Sequence, residues 1–165
     1  MSDNYKTGKA GGSNVRCFEA IANEDSEILI LGSAPSVKSL ELGQYYGNPR
    51  NAMWKILADI YNDGISFGSY AEKTECLHAN HIAMWDVFQC CDRQGSSDST
   101  ISKPVYNDLN GFLAKHPKIR KVIANGKTAG KSIPQDITFI QAYSTSPAFT
   151  KPYEEKLKSW REILK

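Results

Sequence analysis

Residues 27–36 read EILILGSAPS, a short apolar run that stops at Gly32 and turns through Ser33, Ala34, Pro35 and Ser36. An apolar run this short, closed by a turn signal, predicts a buried strand over Glu27–Leu31. The pattern recurs along the chain. His81–Phe88 predicts a second strand, Lys121–Ala124 a third and Thr138–Gln141 a fourth. Stretches of helical period lie between and after them. One carries Met53, Trp54, Ile56, Leu57, Ile60 and Tyr61, with Asn48 as its N-cap and Pro49 in the first helical position. Val105–His116 places Val105, Leu109, Phe112 and Leu113 on one face, Lys127–Ile133 makes a short helix, and Pro152–Leu164 carries the stripe Leu157, Trp160, Ile163 and Leu164. A short helix is expected around Val15–Ala22, and polar Cys90–Lys103 reads as a loop. Strand–helix alternation predicts an α/β fold of three layers, α/β/α, around a central, mostly parallel four-stranded sheet. A single domain is expected over 15–165, with residues 1–14, polar and aperiodic, as a disordered leader.

Composition excludes several classes. With 41% hydrophobic and 23% charged residues in 165, the chain has the balance of an ordinary globular domain. No apolar run approaches the roughly 20 residues that span a bilayer. Without a signal-peptide pattern an intracellular monomer is expected, cytoplasmic in a prokaryote or nuclear in a eukaryote. Cys17, Cys76, Cys90 and Cys91 fit no zinc spacing and read as reduced thiols. His78 and His81, without further ligands, make no metal site. Gly126 to Gly130-Lys131-Ser132 imitates a nucleotide-binding P-loop but has one residue too few between its glycines. The net charge of +2 does not itself point to nucleic acid, although a near-neutral total can conceal a basic face.

In parallel α/β sheets ligands bind beyond the carboxyl ends of the strands, so loops 32–51, 86–103, 125–128 and 142–150 carry the function. The first brings together small residues, the aromatics Tyr45 and Tyr46, and the amides of Asn48 and Asn51. A tight turn and a helix N-terminus offer backbone N–H groups to electron-rich atoms, and an aromatic plate suits a planar ring. Such a cleft fits a flipped nucleobase. Asp86 ends the second strand, where a carboxylate needs a partner or a raised pKa. It can read a base edge, position a water or bond the 93–99 loop. Asn51 can likewise orient a water or bond the first turn of its own helix. Arg93, Ser96, Asp98 and Ser99 read as loop-ordering groups. Lys127 and the hydroxyls of Ser144, Thr145 and Ser146 suit phosphate contacts.

Taken in order, these blocks resemble the uracil-DNA glycosylase superfamily. They are most similar to its hypoxanthine-DNA glycosylase family (family six), which carries GSMPG, YYAHPRN before FW, ALWDV and LPSTSPA. The mismatch-specific uracil glycosylases, with GINPG and AHPxNxFW, come next. Ala34 falls where the mismatch enzymes carry their catalytic Asn, Tyr46 on their base-stacking aromatic, and Asn51 on the Asn before the aromatic pair. Ser36, Asn48, Met53 and Tyr143 depart from the family-six pattern. The resemblance implies monofunctional, cofactor-free hydrolysis of the N-glycosidic bond of a deaminated base in double- or single-stranded DNA, hypoxanthine first and uracil second. It implies Asn51 as catalytic, and Ser33, Ala34, Tyr46, Asn48 and Asp86 as base-binding. Lys127, Ser144, Thr145 and Ser146 would hold DNA. Because Ala34 removes the usual turn amide, a non-catalytic lesion-binding protein of the same fold is the alternative.

Overall fold

The computed structural model describes residues 13–165. Its centre is a four-stranded sheet in which β2 (Ile28–Gly32) lies between β3 (Ile82–Asp86) and β6 (Lys121–Asn125), with β7 (Ile140–Ala142) outside β6. All three pairings are parallel, and the register sets Gly32 beside Asp86 and Asn125 beside Ala142. The four strands therefore deliver their following loops to one edge of the sheet.

Alternation of side chains along a strand splits the ILIL run between two cores. Ile28 and Ile30 pack with Met84, Ile123, Trp54, Leu57, Leu77 and Trp160, under α2 (Met53–Tyr61), α3 (Tyr70–Ala79) and α6 (Tyr153–Leu164). Leu29 and Leu31 pack on the other face with Leu109, Ala129 and Ile133, against α4 (Leu109–Lys115) and α5 (Lys127–Lys131). Each large side chain so buried contributes about 1.5–3 kcal/mol. Truncating one of them, Ile30→Ala, costs about 2–5 kcal/mol. The three-layer α/β/α expectation holds, and no helix among the described residues is long and apolar enough to cross a membrane.

A second sheet departs from the expectation. β1 (Ser13–Arg16), β4 (Phe88–Arg93) and β5 (Ser102–Tyr106) form an antiparallel layer in the order β1-β4-β5. Residues 1–12 of the expected leader lie outside the described residues, and Ser13 and Asn14 belong to β1. The helix expected at Val15–Ala22 is instead strand and extended chain, with Ile21 bridged antiparallel to Met84. The single strand expected over His81–Phe88 ends at Asp86, and Phe88 opens β4 in the other sheet. Much of the expected loop 90–103 is strand, and Val105 belongs to exposed β5 rather than to α4, which starts at Leu109 after the Asp108 cap. Two helices went unanticipated: α3, and α1 (Val37–Leu42), which Ser36 caps through Ser39 N–H and which ends at Gly43 with φ 66°.

Candidate active site

The carboxyl ends of β2, β3, β6 and β7 open into a cleft of about 620 Å³, walled by the 32–36 turn, Tyr46, Asn48, Asn51, the 96–99 segment, Asn125 and the 144–149 loop, with Asp86 among its lining residues. That volume is in the range of small-ligand sites.

Gly32 makes room at its centre. A Cβ there would lie 2.7 Å from Asp86 Oδ1 and 3.1 Å from the Tyr46 hydroxyl, so only glycine lets these two side chains approach the end of β2. Tyr46 has φ 51°, an uncommon conformation for a bulky residue and one that collects at functional sites. Its hydroxyl accepts from Asn125 Nδ2 at 3.2 Å, and its ring stands edge-on to Trp54 with centroids 6.5 Å apart. Burial pushes the Tyr46 phenol well above its ordinary pKa, so it stays neutral.

Asp86 is 3% exposed, and its Oδ2 has no hydrogen-bond partner among the described residues. Burial raises its pKa to about 7, the negative charge of Asp98 adds to the rise, and the Arg93 guanidinium opposes it. A carboxyl in that condition changes charge near neutral pH.

The surrounding loops are tied by buried polar groups. Arg93, 2% exposed, donates to the carbonyls of Pro35 and Gly95. Ser33 Oγ donates to Asp98 Oδ2 at 2.8 Å, and Val37 N–H to Ser96 Oγ at 2.9 Å. The 93–98 segment thus fixes the 32–37 turn, as its loop-ordering reading required. On the other wall, Lys156 is 5% exposed and donates to the Ser146 carbonyl at 3.0 Å, while Trp160 Nε1 donates to the Tyr143 carbonyl at 2.9 Å.

Each expected site residue has a definite place. Ser33, Ala34, Tyr46, Asn48, Asn51, Asp86, Ser144, Thr145 and Ser146 all line the cleft. Asn48 does not cap a helix beginning at Pro49. α2 starts at Met53, and Asn48 Oδ1 instead accepts from Arg50 N–H, closing a turn. The N-cap position is Ala52, without a side-chain cap bond, and Asn51 just before it closes a turn, its Oδ1 accepting from Met53 N–H at 3.0 Å. Thr145 departs furthest from its expected role as a DNA contact. It is fully buried, and its hydroxyl and N–H are both committed to Asn125, so it holds the loop from beneath. Ser144 and Ser146 remain half-buried at the mouth, and their hydroxyls accept from Ser146 N–H and Ala148 N–H. Lys127 is exposed on the first turn of α5, outside the cleft lining.

Two positioning residues carry roles that the sequence reading did not assign, Asn125 and Lys156. The signal for Lys156 was present: it falls on the stripe of Tyr153, Leu157 and Trp160, where a lysine must find a buried acceptor.

The sequence matches the Uracil DNA glycosylase superfamily over residues 19–165. It is 40% identical over 119 residues to a protein of Methanosarcina acetivorans named hypoxanthine DNA glycosylase, covering 72% of this chain and 75% of that one. A second protein of that name, from Methanosarcina barkeri, is 32% identical over 154 residues, 90% of this chain and 96% of its own. A solution NMR structure from Methanosarcina acetivorans, described as a candidate uracil DNA glycosylase, superposes with a TM-score of 0.77 at 35% identity, covering 91% of this chain and 98% of that chain.

Proposed function

The chain belongs to the uracil DNA glycosylase superfamily, and from that premise we propose that it releases a flipped, deaminated base from DNA by hydrolysis, hypoxanthine first and uracil second. The observation that carries the purine preference is the buried, unpartnered carboxyl of Asp86 in a cleft with an aromatic wall. The names of the two Methanosarcina relatives point the same way.

Duplex DNA is held through its phosphates by Lys127 and by the mouth of the 144–146 loop, and the lesion nucleotide turns out of the stack into the cleft. Tyr46 stacks on the base. Ser33 and Ala34 present the turn backbone to it, and Asn48 and Asp86 meet its edges. Asn51, its amide fixed by the α2 N-terminus, orients a water toward C1′ of a sugar with oxocarbenium character. Among the described residues no lysine lines the cleft, which fits hydrolysis without a Schiff base. Orientation of this kind contributes about 10²–10⁴-fold, by comparison with general-base terms.

Alkaline cleavage of end-labelled duplexes carrying one deoxyinosine or one deoxyuridine tests the reading. Cleavage at inosine by the wild type, lost in Asn51→Ala, is expected. Cleavage at uracil alone would overturn the substrate order, and full base release by Asn51→Ala would remove that residue from catalysis.

A further inference from the structure

We propose that Asp86 is the acid of the reaction, passing its carboxyl proton to N7 of the leaving purine as the C1′–N9 bond breaks. This rests on the hypoxanthine reading above.

The argument starts from an unsatisfied atom. Buried carboxylates are ordinarily bonded or paired, because an isolated charge in a dry site is costly. Asp98 follows that rule through Ser33. Asp86 does not: Oδ2 has no partner among the described residues although Asp86 is almost wholly buried. Because Gly32 has no Cβ, Asp86 Oδ1 and the Tyr46 hydroxyl both lie close against the end of β2. Asp86 is among the residues lining the cleft, where a bound base can supply the partner its carboxyl lacks.

Chemistry selects the ligand atom. A neutral carboxyl donates one hydrogen bond, whereas the ionised form only accepts. The purine edge bearing N7 and O6 presents acceptors alone, as guanine does in the major groove. A protonated Asp86 matches that edge, and an ionised one is repelled by it.

The groups around Asp86 keep the proton available. Arg93 on β4 and Asp98 on the following 3₁₀ turn act on it with opposite sign, and Tyr45, Tyr46 and Cys17 pack nearby. The last three are held neutral by burial, so they add no charge in the working range. Burial dominates the sum, and the carboxyl titrates near neutrality, where a general acid is most effective.

The step balances. The C1′–N9 electron pair leaves on the purine, N7 takes the Asp86 proton, and neutral hypoxanthine departs. Water bonds to C1′ and loses its proton to solvent, giving the abasic hemiacetal, and solvent reprotonates Asp86. One water is consumed, and nothing is oxidised or reduced.

The test is single-turnover cleavage of a deoxyinosine duplex between pH 5 and 9, enzyme in excess, for wild type and Asp86→Asn. The wild-type rate is expected to fall as pH rises through about 7. Asp86→Asn is expected to be about 10²-fold slower at pH 6 and insensitive to pH. Its half-saturating enzyme concentration should change by less than about threefold, the signature of an interaction made in the transition state. Thermal melting of the variant separates a lost proton from a lost fold. A duplex with 7-deazahypoxanthine provides the second arm: without N7, wild type and variant should converge on one slow rate. A wild-type rate that climbs with pH, a variant that keeps the wild-type slope, or a wild-type advantage that survives on the 7-deaza duplex would each overturn the proposal. Wild type inert on inosine at every pH would sink the substrate reading and this inference together. Activity on inosine with an innocent Asp86 would sink only the inference.

Discussion

Asn125 brackets Thr145: its Nδ2 donates to Thr145 Oγ1 at 3.0 Å, and its Oδ1 accepts from Thr145 N–H at 3.0 Å. The same Nδ2 reaches the Tyr46 hydroxyl, so one amide joins the end of β6 to both walls of the cleft. Asn125→Asp keeps the acceptor and removes the donor. It is expected to cost about 1–3 kcal/mol and to slow base release, because two buried hydroxyls lose their donor and a buried carboxylate takes its place. Urea unfolding together with single-turnover cleavage checks this, and unchanged activity would show that the bracket is dispensable.

Asp86 makes folding stability depend on pH in the sense opposite to most carboxylates. Its pKa is 3.8 in the reference state and about 7 in the folded protein, so the folded state binds the extra proton between those values. Stability is then fully present below about pH 4 and drains away as pH rises through 7. Asp86→Asn lacks this loss. Its stability relative to wild type is expected to grow by up to about 4 kcal/mol between pH 4 and pH 8, at 1.36 kcal/mol per pKa unit. Denaturant unfolding of both proteins at pH 4, 6 and 8 reads the difference, and other titrating groups cancel in it. A constant gap would mean that the carboxyl titrates normally.

Gly32→Ala is expected to damage activity more than the fold. The added methyl meets Asp86 Oδ1 at 2.7 Å and the Tyr46 hydroxyl at 3.1 Å, and both must move. Overpacking of this kind costs about 1–3 kcal/mol. Displacing two groups of the cleft by fractions of an ångström is expected to cost about 10²-fold in rate. Melting temperature and cleavage rate, measured on one preparation, separate the two effects.

Salt separates the proposed phosphate contact of Lys127 from the scaffold role of Lys156. Removing the exposed Lys127 should weaken binding and flatten the dependence of log K on log salt by about 0.9, the loss of one phosphate contact. Lys156→Met unties the Ser146 carbonyl instead. Binding should weaken with an unchanged slope, because Lys156 is buried and touches no phosphate. Fluorescence anisotropy at several salt concentrations reads both, and a reduced slope for Lys156→Met would assign it a direct contact.

The inner strands of the central sheet were legible because they are short runs apolar on both faces, as at Ile28–Leu31 and Val122–Ala124. The antiparallel layer was not. Gln89, Asp92, Ser102 and Lys103 sit in strands with much of their surface in solvent, so no alternation of apolar residues marks them. β5 is exposed at every position, and its pairing with β4 comes from hydrogen bonds rather than from side-chain pattern. α3 escaped for a related reason: only Leu77 in it is buried. Within the site, residue types and loop positions were readable for Tyr46, Asn51 and Asp86. Which atom each spends on the scaffold was not. Thr145 answers to Asn125 across 20 residues, and Arg93 reaches Pro35 across 58. Contacts so distant in the chain leave no local periodicity.

Four groups that set the cleft, three side chains and one backbone N–H, grip main chain rather than side chain. Arg93 holds the carbonyls of Pro35 and Gly95, Lys156 that of Ser146, and Trp160 that of Tyr143, while Ala52 N–H holds the Thr145 carbonyl. Every residue type carries a carbonyl, so none of these fastenings depends on the side chain at positions 35, 143 or 146. The lining of the mouth is therefore interchangeable upholstery on a fixed frame. Apart from the buried Thr145, side chains of the 143–149 segment can change without renegotiating the fold, whereas a change at Arg93 or Lys156 alters the frame itself.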